Sequence, residues 1–128
     1  MANIMTPPLA SAVHLRWNDL PQDFPMPLIA RRRIIGSQVM ISQVTLRKGF
    51  MVQSHHHANE QMAVVLSGEM RFGVGAEGTP THREMFVKAG EVLHLPSNVP
   101  HSAEALVDSV LLDMFSPPSE KTGVDAHT

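Results

Sequence analysis

The chain has 128 residues, room for one domain with a hydrophobic core and too little for two. It is 43% apolar and 17% charged, with a formal net charge of −2, which argues against wholesale disorder and against a nucleic-acid binder, whose basic excess is missing. With no cysteine, disulfide frameworks, thiolate zinc sites, iron–sulfur clusters and cysteine nucleophiles are excluded together.

Residues 1–27 carry Pro7, Pro8, Pro21, Pro25 and Pro27 and read as an irregular arm, with one short strand expected over residues 13–17. The start has no basic segment followed by an apolar stretch, and no apolar run reaches membrane-span length. The expected location is therefore the cytoplasm. Such an arm has too little apolar content to fold alone, and Trp17 is expected to pack against a neighbouring surface.

From residue 28 to residue 116 the pattern changes to short β-type runs separated by turn residues. The runs are 28–35, 38–47, 50–57, 61–66, 69–74, 81–88, 91–95, 101–107 and 109–115, broken by Gly36-Ser37, Lys48-Gly49, Ala58-Asn59, Ser67-Gly68, 75–80, Ala89-Gly90 and 96–100. Alternation is plain in Met70/Phe72/Val74 against Glu69/Arg71, and in Met40/Val44/Leu46. Closely spaced turn signals with no helical period between them predict one all-β sandwich or barrel. Tyrosine is absent and there are nine methionines, so the core must draw on Val, Leu, Ile and Met. Residues 117–128 hold Pro117, Pro118 and Gly123 without apolar periodicity and are expected to form a flexible tail.

Histidine is the unusual count, at eight. Without cysteine, a transition-metal site must be made of imidazole and oxygen. In Ser54-His55-His56-His57-Ala58-Asn59-Glu60-Gln61, strand parity projects His55 and His57 together and His56 oppositely. Two imidazoles on one face are half a metal site; a solvated loop would also accommodate the run. Arg31-Arg32-Arg33 reads as a solvent edge, with parity separating Arg32 from its neighbours, although one of the three could grip an anion.

Gly49, five residues, His55-x-His57, then Gln61, six residues and Gly68 resemble the first motif of the cupin superfamily. Gly90, five residues, Pro96-Ser97-Asn98, two residues and His101 resemble the second, with Asn98 where glycine is usual and Ala105 where asparagine is usual. The resemblance covers residues 28–116. It implies a double-stranded β-helix, or jelly-roll barrel, of six to eight strands with one divalent metal inside, and, since small cupins often pair by exchanging such an N-terminal arm across a sheet edge, a homodimer. The ligands it implies are His55, His57, His101 and the residue at position 61, where Gln61 replaces the usual glutamate. Counting back from Gly68 favours Gln61; a one-residue slip would substitute Glu60. Ni, Zn, Mn, Fe and Co all suit such a set.

A narrower resemblance rests on Gln38-Val39-Met40, residues 55–61, Val65-Leu66-Ser67-Gly68 and the closing Leu111-Leu112-Asp113-Met114-Phe115-Ser116-Pro117. These stretches are similar to the small cupins of pectin and alginate breakdown that open unsaturated uronate rings. That resemblance implies that Asp113 and Phe115 face the metal cavity, Asp113 as the proton carrier and Phe115 against substrate, although Phe115 also fits ordinary core. A carboxylate inside an apolar strand is costly unless it is paired or functional. The arginine that these relatives carry two residues past Ser-Pro is Ser119 here. The expectation is a metal-dependent isomerase or lyase acting on a small sugar-acid-like molecule. Two alternatives stay open: a cupin dioxygenase, and a non-catalytic small-molecule-binding cupin.

Overall fold

The computed structural model describes residues 11–125. Nine strands follow one another: β1 (Ile29–Ile35), β2 (Met40–Leu46), β3 (Met51–His55), β4 (Glu60–Ser67), β5 (Glu69–Val74), β6 (Arg83–Lys88), β7 (Val92–Leu95), β8 (His101–Ala105) and β9 (Ser109–Ser116). Each coincides with one of the expected runs. All pairings are antiparallel, in a five-stranded sheet ordered β1-β2-β9-β4-β7 and a four-stranded sheet ordered β3-β8-β5-β6. This is the jelly-roll arrangement of a cupin, with one strand more than the upper end of the expected range.

Period-two alternation sends one face of each sheet inward. Met40, Val44 and Leu46 of β2, Ala63 and Val65 of β4, Met70 and Phe72 of β5 and Leu111 of β9 are all buried there. Ile29, Phe50, Val87, Leu93, Leu95 and Ala105 join them, so aliphatic and methionine side chains make up most of the core, as the shortage of aromatics requires. At the β4–β5 connection Gly68 has φ +91, and a Cβ on it would stand 2.1 Å from Ser109 Oγ, so only glycine fits the turn. None of the described residues forms a helix long and apolar enough to cross a membrane.

Two terminal expectations change. Residues 11–16 form no strand, and Trp17 begins a single 3-10 turn, Trp17–Asp19, half-buried at the surface. Pro7 and Pro8 lie outside the described residues. The arm instead docks on β1, where Asp23 exchanges backbone hydrogen bonds with Arg31 (2.8 and 2.9 Å). The segment after β9, expected as a loose tail, packs back on the barrel as far as Asp125, with Thr122 buried and Val124 against the core. Composition could not show this, because the contacts come from β1 and β3, far away in sequence.

Candidate metal centre

His55 ends β3 and His101 opens β8, and the two are directly opposite in register. A register shift between Val52 and His55 breaks the ladder just before this pair. His57 lies two residues beyond β3, and its backbone oxygen accepts a hydrogen bond from Asn98 N at 2.8 Å. Asn98 has φ +66, the left-handed conformation that asparagine tolerates best after glycine. Ser97 Oγ donates to Ala58 O at 2.6 Å, so the Pro96-Ser97-Asn98 turn ties the second histidine motif to the first.

The three rings converge, with centroid separations of 4.4 Å (His55–His101), 5.0 Å (His57–His101) and 5.7 Å (His55–His57). One ring nitrogen from each lies within 4.8 Å of the other two. His56 points away and is exposed, as parity demands. Each Nδ1 faces a backbone carbonyl: His55 to Gln53 O (2.9 Å), His57 to Asn59 O (3.1 Å) and His101 to Val99 O (2.9 Å). A carbonyl oxygen only accepts, so each Nδ1 carries the hydrogen and each neutral ring keeps its Nε2 lone pair for a ligand. Burial lowers the pKa of His57 against the opposing hydrogen bond to Asn59, and pushes His101 down to about 4. Both are thus held in the neutral form that binds metal.

Gln61 lies on the inward face of β4, in register with Phe115 on one side and Leu95 on the other, and is buried. Its Nε2 donates to Asp113 Oδ1 at 3.1 Å, which fixes the amide and leaves Oε1 as the free end. His57 Nε2 and Gln61 Oε1 are buried without a hydrogen-bond partner among the described residues. Buried polar atoms left unpaired cost about 1–3 kcal/mol each, and here they are Lewis-basic atoms beside two further imidazoles. A divalent cation with nitrogen and oxygen preference fits this set. Glu60 is outside the barrel, its Oε2 2.7 Å from His94 Nε2, with both side chains about half exposed. Alanine at Gln61 is therefore expected to weaken metal affinity by at least about tenfold, less than loss of an imidazole because a neutral amide oxygen is the weaker donor, while alanine at Glu60 leaves it within about twofold, by calorimetric titration of chelator-stripped protein.

Asp113 is in register with Ala63 and Ser42 and lines the same cavity as His55, His101 and Gln61. Burial pushes its carboxyl up to about 7, against the opposing hydrogen bond from Gln61. Phe115 is buried and meets the His57 ring edge-on at 5.8 Å between centroids, so it both packs and walls the site.

Two residues of this neighbourhood, Asn59 and Gly123, escaped the sequence reading, and a third, Arg31, was expected at a solvent edge. Asn59 is buried and donates from Nδ2 to Pro117 O, which pins the strand after His57 to the end of β9. Arg31, expected near solvent, is 3% exposed and lines the cavity. Gly123 lies over the His55 ring so closely that a Cβ would stand 2.1 Å from Nε2. Strand parity places Arg31 on the inner face with Ile29, but a charged triplet reads as surface unless its partners are known.

The cupin domain pattern matches residues 42–115, more than half of the chain. No curated protein sequence matches significantly. Among solved structures, an RmlC-like cupin from Shewanella frigidimarina superposes with TM-score 0.76 at 22% identity, over 86% of this chain and 95% of that one. KdgF from a Halomonas species gives 0.74 at 22% identity, over 86% and 97%. Bacillus subtilis oxalate decarboxylase, described with Mn(II) centres, gives 0.73 at 19% identity, over 88% of this chain and 33% of that one. At these identities the likeness establishes the fold.

Proposed function

The chain belongs to the cupin domain family, and from that premise we propose that it is a metal-dependent enzyme acting on a small, oxygenated, sugar-acid-like substrate by isomerase or lyase chemistry. One observation carries this reading. A carboxyl group, Asp113, lines one cavity with His55 and His101 of the three converging imidazoles and is hydrogen-bonded to the amide of Gln61 beside them. A purely structural metal site has no need of it, and burying a carboxyl costs stability that an apolar residue would not.

His55, His57, His101 and Gln61 would hold the metal, which when bound supplies a Lewis acid for substrate oxygens. The Gln61 amide is neutral, so it would offset less of the cation's charge than a glutamate. Gln61 Nε2 orients the Asp113 carboxyl by binding Oδ1, and Oδ2 is the atom that would take or give the proton. Phe115 walls the cavity and keeps water from the reacting face. The resemblance of the Asp113-x-Phe115-Ser116-Pro117 strand to the uronate ring-opening cupins supports the substrate class.

Protein loaded in turn with Ni, Zn, Mn, Fe and Co is to be mixed with unsaturated uronates. The expected result is loss of their ultraviolet absorbance, abolished by chelation and without oxygen uptake. Persistent absorbance with every metal would remove the uronate reading, and oxygen consumption would move the protein to the dioxygenases.

A further inference from the structure

The cavity beside the three histidines measures about 60 Å³. That is room for a few waters, whereas small-molecule sites usually enclose roughly 300–1,000 Å³. Part of the missing space is taken by the chain itself. Thr122 and Val124 line the cavity, and Gly123 crosses the His55 ring where no side chain would fit. Two side-chain anchors hold the segment. Asp125 Oδ1 accepts from Arg31 Nη2 at 2.8 Å, and Arg33 Nη1 donates to Glu120 O at 3.1 Å. Asp125 Oδ2 also accepts from Thr122 N at 3.0 Å, closing a local turn.

Arg31 is the unusual partner. Its Nε and Nη2 bind Asp23 at 3.0 and 2.7 Å, yet Nη1 is buried without a partner among the described residues. Arg33 stands 3.7 Å from Asp23, so the cluster holds two guanidinium groups and two carboxylates. Withdrawal of Asp125 would leave one positive charge unbalanced inside the barrel and free a donor on Nη2 beside the unpaired Nη1. A guanidinium in that state binds a planar carboxylate through two parallel hydrogen bonds.

We propose that Arg31 is a carboxylate-binding subsite of the cavity, filled in this structure by the chain's own Asp125, so that residues 122–125 are a tethered occupant that a small carboxylate ligand must displace. The proposal deepens the function given above, since it places the acid group of the substrate, but the subsite itself requires no metal.

The test uses full-length, chelator-stripped protein titrated with galacturonate, with galactose as the uncharged control. Asp125→Asn, which keeps the Thr122 contact and removes the competing charge, is expected to bind galacturonate about tenfold or more tightly than the parent, because the competent state is no longer masked. Galactose binding should not change. Adding Arg31→Gln should abolish the gain. In the unmodified protein galacturonate should accelerate amide hydrogen exchange at residues 122–125, a measurement that survives if the Arg31 variant does not fold. Unchanged or weaker binding by Asp125→Asn, or exchange at 122–125 that galacturonate leaves unaltered, would overturn the proposal. Metal-dependent uronate turnover that is indifferent to both residues would remove the subsite and keep the enzyme. Carboxylate competition without turnover on any metal would do the reverse.

Discussion

Alanine in place of His101 is expected to take bound metal from one ion per chain to less than a tenth of that, with affinity falling more than about 100-fold. Loss of an outer partner that merely orients a ligand costs about 10–100-fold, and His101 is a direct donor. It is 4% exposed, it opposes His55 across β3 and β8, and its Nδ1–H is committed to Val99 O, which leaves Nε2 as its free donor atom. His55→Ala and His57→Ala should behave alike. His56→Ala, on the exposed side of the same run, should keep full stoichiometry. Metal content by elemental analysis checks all four, with circular dichroism confirming the fold. Full metal content in His101→Ala would dismiss the three-histidine centre.

Asp113→Asn is expected to lower turnover by about 10²–10⁴-fold while leaving metal content unchanged, because asparagine keeps the oxygen that Gln61 binds and loses the group that moves a proton. The same variant should be more stable than the parent when metal is stripped and the pH is high. The folded-state pKa of Asp113 is about 7, above its ordinary 3.8. Between those values the native state binds more protons than the unfolded one, so stability falls as pH rises from about 4 to about 7 and the whole penalty is present above 7. At about 1.4 kcal/mol per pKa unit, that penalty is of the order of a few kcal/mol. Urea unfolding in the presence of chelator should therefore show Asp113→Asn ahead of the parent at pH 8 and level with it near pH 4. Equal stability of the two at pH 8 would place Asp113 in a solvated setting, and full turnover by the variant would remove it from the chemistry.

Much of this protein was determined by local sequence alone. Strand parity is a property of the backbone, so Met40/Val44/Leu46 and Met70/Phe72 declared their inward face, and His55 and His57 declared theirs with His56 opposite. The resemblance to the first cupin motif, counted back from Gly68, favoured Gln61 over Glu60, and the structure places Gln61 inside and Glu60 outside. Asn98 stands where the second cupin motif usually has glycine, and its φ of +66 is a left-handed conformation that asparagine tolerates. What only the tertiary structure decided depends on partners distant in sequence. Arg31 is a surface residue by composition and a cavity residue by pairing, since burying a guanidinium becomes affordable only where Asp23 and Asp125 meet it. The segment from Thr122 to Asp125 has no period to betray it, because it is held by one ion pair, one apolar contact at Val124 and the absence of a side chain at Gly123 rather than by a repeating face. Asp113 was visible as an anomaly in an apolar strand, but its elevated pKa follows from enclosure by two sheets, which no single strand contains.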